Sequence, residues 1–372
     1  MFKDMSKLNK IWLGGTVLIV GFLIIYYVFS LATGNSSNNN TTKDDPGDSQ
    51  KDSSIISVSN CATTATKDIV KLDTTALKTD KTIGELDFFK DTETGGPTKN
   101  GIPAIDNPKF LTVEEAEKCI KPEAIVFVLE HNGVKKIYPQ QILVWHEITN
   151  DEFVSDETGE RTPVTVTFCP LCNSSIAFIG IVNGEEDTFG VSGRLYQSDL
   201  LMFDRKTESL WSQIEGRAVI GELTGTVLER LFLEVTTFGE YIENNSDALV
   251  LSFDTGSNRN YDNQPYAGYD TSAGLIFDVD NKDDRLFTKD NVVGVEIDGE
   301  FKAYPTKEID KGEITDEFAG KTLKIYKDAD SGGYKVFEVD ENGKELEQLD
   351  SFVNFWFAWA AFHPTTSLYG DN

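Results

Sequence analysis

Short apolar runs alternate with polar positions along most of the chain, and an Asn-Gly or Asp-Gly pair often separates them. Two such stretches, residues 125–153 and 292–318, read alike. Three dipeptides recur at one offset of 166 residues (304 − 138): Asn132-Gly133 with Asp298-Gly299, Tyr138-Pro139 with Tyr304-Pro305, and Ile148-Thr149 with Ile314-Thr315. A shared register of this kind indicates an internal duplication. Each copy predicts a strand, a tight turn, a second strand and, after Tyr-Pro, a short helical or irregular segment.

The likeness continues more loosely further along both copies. Phe178 and Asn183-Gly184 match Phe337 and Asn342-Gly343, each at an offset of 159 residues (337 − 178). These positions again predict a strand, a connection and a hairpin with an Asn-Gly turn. We therefore expect a mainly β fold of the β-rich α+β class, with antiparallel hairpins from an internal duplication and few short helices. The repeats are predicted at about residues 125–190 and 292–345.

One apolar run is much longer than the others. Residues 11–32, IWLGGTVLIVGFLIIYYVFSLA, carry no charge, and a helix of ~20 residues is long enough to cross a bilayer. Three lysines precede the run, so the positive-inside rule places residues 1–10 in the cytoplasm. The sequence thus predicts a single-pass membrane protein whose anchor is this helix and whose C-terminal domain is extracytoplasmic. A cleaved signal peptide is the alternative, because small residues end the run.

Composition divides the rest of the chain. Residues 33–54 are rich in Asn, Ser, Thr and Asp, which predicts a disordered linker. Residues 55–94 contain only short apolar clusters, and whether they pack on the main domain is left open. The extracytoplasmic domain is predicted at residues 95–372. With 62 acidic and 34 basic residues the chain carries a formal charge of −28, which excludes nucleic acid as a partner because phosphate backbones are repelled.

Two cysteines separated by two residues form the sharpest motif of the chain. Cys169 and Cys172 lie in TFCPLCNSS, directly after an apolar run. The second copy has KDADSG where the first has CPLCN, and Gly312 where the first has His146. A residue that the sister copy lacks is a better candidate for chemistry than one that both copies retain, although drift after duplication is the alternative.

A metal site is the leading hypothesis for this motif. Cys169, Cys172, His146 and His363 together make a two-sulfur, two-nitrogen ligand set, which suits zinc, or copper if Met202 approaches. His146 precedes the cysteine strand by about twenty residues, within reach of an ordinary hairpin connection. His363 lies in the apolar stretch FWFAWAAFHP, where its ring nitrogens need partners. The expected role is transition-metal binding, with electron transfer or metal handling.

Two other functions remain open for the cysteine pair. Redox-active dithiols use the same spacing, and one thiolate would then need a nearby cation such as Arg194 or Arg205. The third hypothesis is a cell-surface interaction domain in which the pair is only a structural bridge. Asn173 stands where a c-type haem motif requires histidine, so no c-type haem is expected. The even cysteine count predicts a structural disulfide between Cys61 and Cys119.

The densest polar stretch, residues 188–225, follows the first copy. It predicts either a polar wall beside the cysteine site or an exposed hairpin with Arg–carboxylate pairs. The residues proposed for the wall are Tyr196, Ser198, Asp204, Arg205 and Trp211. No Gly-rich phosphate loop occurs, so no nucleotide cofactor is expected. The identity of a small-molecule or protein partner is left open, as is enzymatic activity.

Six motifs between residues 95 and 369 are long and specific: GIPAIDNPKF, WHEITND, TFCPLCNSSIAF, FGVSGRLYQSDLLMFDRKTESLWSQ, DDRLF and FWFAWAAFHP. They resemble a family of bacterial and archaeal exported or membrane-anchored proteins known only as a domain of unknown function. The resemblance implies no reaction. Asn173 departs from the family pattern, in which glycine is frequent, but this removes no ligand. The resemblance implies that the pattern includes His146, Cys169, Cys172, Tyr196, Ser198, Asp204, Arg205, Trp211 and His363.

Overall fold

Short strands and short helices make up the fold that the computed structural model describes for residues 72–155 and 157–371. Strands account for 40% of these described residues and helices for 9%. Five small, mainly antiparallel sheets lie in a five-blade, propeller-like arrangement. The predicted β-rich fold with few short helices is therefore confirmed.

The elements are numbered in chain order. The strands are β1 Glu93–Thr94, β2 Phe110–Thr112, β3 Ile125–His131, β4 Val134–Pro139, β5 Ile148–Val154, β6 Arg161–Cys169, β7 Ser174–Ile179, β8 Ile181–Val182, β9 Glu185–Glu186, β10 Phe189–Tyr196, β11 Asp199–Asp204, β12 Leu210–Ser212, β13 Arg217–Ile220, β14 Arg230–Leu231, β15 Leu233–Thr237, β16 Leu249–Leu251, β17 Asn291–Ile297, β18 Glu300–Pro305, β19 Ile314–Phe318, β20 Lys321–Lys327, β21 Tyr334–Val339, β22 Glu345–Gln348, β23 Ser351–Phe355 and β24 Ser367–Leu368. The helices are α1 Val113–Ala116, α2 Gln140–His146, α3 Phe238–Ile242, α4 Thr306–Ile309 and α5 Trp356–Phe362.

The five sheets have the following strand orders. Sheet I is β15-β3-β4-β16-β2, sheet II is β14-β7-β6-β5, and sheet III is β1-β10-β11-β12-β13. Sheet IV is β23-β17-β18-β24, and sheet V is β19-β20-β21-β22. Strands β8 and β9 form a separate two-stranded ribbon.

Sheets I and IV share one topology. In each, a central hairpin (β3-β4 or β17-β18) pairs antiparallel with the strand before a helix and parallel with the strand after it. The central turns are alike too, because Asn132 and Asp298 have φ of 51° and the glycine after each is also left-handed. Asparagine, aspartate and glycine tolerate this region, so the local sequence dictates both hairpins. The shared topology extends to residues 233–251 and 351–368.

A buried polar cluster also recurs in both copies. Lys136 Nζ lies 2.9 Å from the Asp151 carboxylate, which also accepts a hydrogen bond from the Tyr138 hydroxyl. Both charged side chains are almost fully buried. The second copy repeats the arrangement with Lys302, Asp316 and Tyr304. Because both copies retain it, this cluster belongs to the shared scaffold.

The hydrophobic core that contains both cysteines also contains helix α5, with Trp356 and Trp359 fully buried. Strand β17 passes directly beneath this helix. A Cβ atom added to Gly294 would lie only 2.1 Å from the Trp359 ring. Glycine at this position therefore permits the close approach of helix and sheet.

Part of the N-terminal segment that the sequence left open packs on sheet III. Strand β1 pairs with β10, and Phe88 is buried together with Leu201 and Phe203. Cys119 is disulfide-bonded. Its predicted partner, Cys61, lies outside the described residues.

The predicted anchor, residues 11–32, and the predicted linker, residues 33–54, lie outside the described part of the chain. Within residues 72–155 and 157–371, the helices have four to seven residues, and none is long and apolar enough to cross a membrane. A bilayer requires ~20 residues of helix. This finding corrects the predictions of a transmembrane helix, a single-pass membrane location and the membrane as a partner.

Candidate functional site

The two cysteines lie on the tight connection between β6 and β7, here called the cysteine loop (residues 169–173). Cys169 pairs with Ser174 across the hairpin, which closes the loop. Asn173 has φ of 52°, a left-handed conformation that asparagine tolerates, so the turn forms without glycine. The Phe355 amide at the end of β23 donates to the Cys172 carbonyl at 2.8 Å. Both thiols are free and buried.

A third group completes what we call the thiol–carboxylate cluster. One ligand atom each of Cys169, Cys172 and Asp199 lies within 4.8 Å of the others, and all three side chains are buried. Asp199 is the first residue of β11. The turn before it consists of Gln197 and Ser198, with φ of 50° and 65°. Such a turn normally requires Asn or Gly, so these residues hold strain that is common at functional sites.

Hydrogen bonds fix the Asp199 carboxylate in place. The Ile214 amide donates to its Oδ2 at 3.2 Å, and Ser174 Oγ lies 3.2 Å from its Oδ1. Ser174 Oγ also lies 2.8 Å from Gln213 Oε1. Gln213 Nε2 in turn donates to Thr167 Oγ1 at 2.9 Å. This network connects β6, β7 and β11 around the cluster.

Burial dominates the electrostatics of the cluster. Burial raises the pKa of Asp199 to about 7, although hydrogen bonds from Cys169, Ile214 and Ser174 oppose this rise. Burial also raises the pKa of the Cys169 thiol, and it raises that of Cys172 far more, with Cys169 and Asp199 adding to the effect. Without a cation, the cluster therefore favours its neutral, protonated form.

A second buried carboxyl, Glu147, lies close enough to interact electrostatically with both Cys169 and Asp199. It follows α2 with φ of 58°, and its carbonyl accepts the Phe168 amide at 2.7 Å, which ties it to the cysteine strand. Burial, followed by the charge of Asp199, raises its pKa to about 8. Its carboxyl has no hydrogen bond or ion pair within residues 72–155 and 157–371.

His146 is buried, but its ring nitrogens have other partners. Nδ1 lies 2.7 Å from the Pro103 carbonyl, and Nε2 lies 2.6 Å from the Tyr261 hydroxyl. Burial lowers its pKa to about 4. Tyr261 belongs to a connecting segment, residues 252–290, that has no helix or strand. In this structure His146 therefore fastens that segment to α2.

His363 lies at the C-terminal end of α5. Its ring stacks on Phe301 at 4.0 Å and contacts Trp359 at 4.2 Å. Burial lowers its pKa to about 4. The seven-residue helix α5 separates it by about 10 Å from the Phe355 amide that contacts the cysteine loop. The structure thus brings the two cysteines together with Asp199, and it brings neither histidine into this three-residue group.

Of the five residues predicted for a polar wall, Ser198 is the one beside the thiols. Its carbonyl lies 4.0 Å from Cys169 Sγ, and its buried hydroxyl has no hydrogen-bond partner in the described structure. Tyr196 packs edge-on against Phe362. Asp204 is at the other end of β11, about 17 Å from Asp199.

At that distant end of β11, the remaining predicted wall residues organise a loop. Asp204 accepts hydrogen bonds from the Thr207 amide at 2.6 Å and from Trp211 Nε1 at 3.1 Å. Arg205 pairs with Asp106 at 2.8 Å. The other cation considered for a redox site, Arg194, donates to the carbonyl and hydroxyl of Thr92. Both arginines are thus engaged by groups other than the thiols.

One known family model matches the part of the chain that contains all the site residues described above. Residues 99–366 match the model of a family described as "Protein of unknown function (DUF3179)", and this match covers more than two thirds of the chain. The chain belongs to this DUF3179 family. The predicted membership of an uncharacterised domain family is confirmed. No curated protein and no solved structure matches the chain.

Sequence reasoning did not select Glu147 or Asp199 as site residues. A comparison of the two copies does not single out Glu147, because the second copy also has a glutamate, Glu313, at the same offset of 166 residues (313 − 147). Glu313 is exposed and pairs with Lys324 at 3.1 Å, whereas Glu147 is buried and has no cation. Asp199 stood within the dense polar stretch, but no spacing tied it to the cysteines.

The cluster offers two thiols and one carboxyl in a water-poor interior, with a second carboxyl nearby. Such a set can hold a divalent cation once the thiols and the carboxyl have released their protons. A thiol of raised pKa in an uncharged surrounding is a weak nucleophile.

Proposed function

We propose that this protein binds one transition-metal ion through Cys169 Sγ, Cys172 Sγ and the Asp199 carboxylate. The observation that carries the proposal is that these three ligand atoms lie within 4.8 Å of one another in the core. Tetrahedral zinc with ordinary bond lengths holds two thiolate sulfurs about 3.8 Å apart. The two sulfurs therefore need to approach each other by at most about 1 Å.

The electrostatics support a cation in this place. Asp199 and Glu147 are buried carboxyl groups whose pKa values rise to about 7 and about 8. An ion of charge +2 would stabilise the thiolates and the Asp199 carboxylate, so its binding releases protons. Without such an ion, the burial of these groups only costs free energy.

The ligand set favours zinc over copper. Two thiolates and one carboxylate fit zinc, and three protein ligands leave a fourth position for water or a substrate. A blue-copper site would need a methionine near the ion. Met202 lies three residues along β11 from Asp199, which is about 10 Å.

The test is elemental mass spectrometry on the purified full chain after loading with zinc and removal of excess metal. One zinc per chain is expected for the native sequence and for Asp278→Asn, whose carboxylate is exposed. Cys172→Ser and Asp199→Asn are expected to lose the zinc while they keep the native circular dichroism spectrum. A folded native chain without stoichiometric metal would refute the proposal.

Thiol–disulfide exchange is the second candidate, because the two thiols are free and adjacent. In that function the pair would pass two electrons and two protons to a disulfide substrate and form the Cys169–Cys172 bond. Its support is weaker, since both thiols are buried and burial raises the pKa of each. Measurement of free thiols before and after mild oxidation separates the candidates, because a reversible Cys169–Cys172 bridge favours exchange.

A further inference from the structure

An apolar cavity of about 100 Å³ lies beside the thiol–carboxylate cluster. Leu171, which stands between the two cysteines, and Leu200, which follows Asp199, form part of its wall. Ile102, Val191 and Leu195 are also part of the apolar lining. The cavity is therefore built against the same backbone that carries the cluster.

The cavity extends from the core to the surface. Ile276 of the connecting segment lines it and is 43% exposed, whereas Leu200 is 2% exposed. A small molecule can thus enter beside residues 252–290 without unfolding a strand. An engineered apolar cavity of about 150 Å³ accepts benzene. The cavity in this protein, at about 100 Å³, is smaller and suits a chain of about five heavy atoms.

Glu147 supplies an unpartnered polar group to this cavity, whose lining also includes Arg194 and Tyr266. It lines the cavity, is only 7% exposed, and its carboxyl has no partner in the described part of the chain. Buried polar groups in native proteins almost always have a partner. A carboxyl without one, in the wall of a cavity, indicates a ligand that supplies the missing donor.

The charges around Glu147 select the kind of ligand. Asp199 adds negative potential at its carboxyl. Arg194 also lines the cavity, but its Nε and Nη2 donate to Thr92 and to the Phe88 carbonyl. Glu147 accepts nothing from this guanidinium, so a cationic ligand meets an unused carboxyl, which is the acidic side chain among the lining residues of the described chain.

We propose that this cavity binds a small primary ammonium ion with a short apolar chain, with its ammonium group on the Glu147 carboxylate and its chain against the leucines. The lining hydrophobic side chains bury the chain, and Glu147 fixes the orientation. The groups proposed to contact the ligand, the Glu147 carboxylate and the apolar side chains, are not among the proposed metal ligands.

Butylammonium is the probe, with butanol and butyrate as neutral and anionic analogues of the same length. Affinities are measured by isothermal titration calorimetry on the full chain at pH 9, where Glu147, whose pKa is raised to about 8, is ionised. Butylammonium is expected to bind the native chain about tenfold or more tightly than either analogue. Glu147→Gln is expected to remove this preference, whereas Glu341→Gln, on an exposed turn, preserves it.

Two further variants locate the site. Ile276→Trp narrows the exposed end of the cavity, so it is expected to weaken both butylammonium and butanol. Cys172→Ser, which removes a proposed metal ligand, is expected to leave butylammonium binding intact. Equal affinity for butanol and butylammonium in the native chain would overturn the proposal. So would butylammonium binding that survives Glu147→Gln or disappears with Cys172→Ser.

Discussion

Replacement of Glu147 by glutamine is expected to make the metal-free protein less sensitive to rising pH. The folded state raises the pKa of Glu147 from its ordinary 4.5 to about 8. Between these values the folded chain keeps a proton that the unfolded chain releases, so a rise in pH favours unfolding. The stabilising contribution is fully present below pH 4.5 and is lost as the pH rises through about 8. Glutamine has no proton to lose.

The size of the effect follows from the same two values. One pKa unit corresponds to about 1.4 kcal/mol, so the rise from 4.5 to about 8 amounts to about 5 kcal/mol in total. About 3 kcal/mol of this falls between pH 5.5 and 8.5. Whole domains unfold with roughly 5–15 kcal/mol, so a loss of this size is readily measured. Asp199 acts in the same direction, because its pKa rises from 3.8 to about 7.

The assay is urea denaturation followed by tryptophan fluorescence at pH 5.5, 7.0 and 8.5, with a chelator present. The native chain is expected to lose stability across this series, and Glu147→Gln to lose about 3 kcal/mol less. Glu341→Gln is the control, since its side chain is exposed and should leave the native slope unchanged. If Glu147→Gln and the native chain have the same slope, the burial argument for Glu147 is wrong.

Two predictions concern the scaffold. Gly294→Ala is expected to destabilise the fold by about 1–3 kcal/mol, because its Cβ would overlap the Trp359 ring. The Cβ of Gly274→Ala would make only an ordinary contact, 3.8 Å from Ser272 Oγ, so this variant should change little in thermal denaturation. An equal effect of both alanines would contradict this packing account. Lys136→Ala is expected to cost about 3–5 kcal/mol in urea denaturation, because it leaves a buried carboxylate unpaired. Lys135→Ala, which breaks an ion pair with an exposed aspartate, should cost less than about 1 kcal/mol, and similar losses in the two lysine variants would argue against the burial argument.

Local chemistry made much of the fold predictable. Asn132 and Asp298 stand before glycines at hairpin turns, and a turn of this type depends on only two residues. The adjacency of Cys169 and Cys172 was equally local, because the spacing alone limits how far apart their thiols can lie. These features required no knowledge of distant contacts.

The partners of the cysteines were not predictable in the same way. Asp199 reaches them from a strand that begins 27 residues after Cys172 (199 − 172), through a turn whose residues are atypical for it. His146 was a reasonable ligand by type, but Tyr261, 115 residues away, contacts its ring. Contacts between residues far apart in sequence bring Asp199 to the cysteines and Tyr261 to His146. Periodicity and motif spacing do not predict such contacts.

Glu147 illustrates a further limit of sequence comparison between the copies. The same residue type at the same repeat position is buried in one copy and exposed in the other. Glu313 pairs with Lys324 of the neighbouring strand, whereas Val166, at the corresponding position of the first copy, offers Glu147 no charge. A residue common to both copies can therefore differ entirely in chemistry.

Through the hydrogen bond from the Phe355 amide to the Cys172 carbonyl, the second copy of the repeat holds the cysteine loop of the first copy. The second copy lacks the cysteines, yet its strand β23 holds the loop that carries them. A substitution that displaces the Phe355 amide would therefore shift the backbone of Cys172, although every residue of the thiol–carboxylate cluster is unchanged. The geometry of the cysteine loop in the first copy thus depends on a peptide group of the second copy, even though the second copy carries no cysteine of its own at that position.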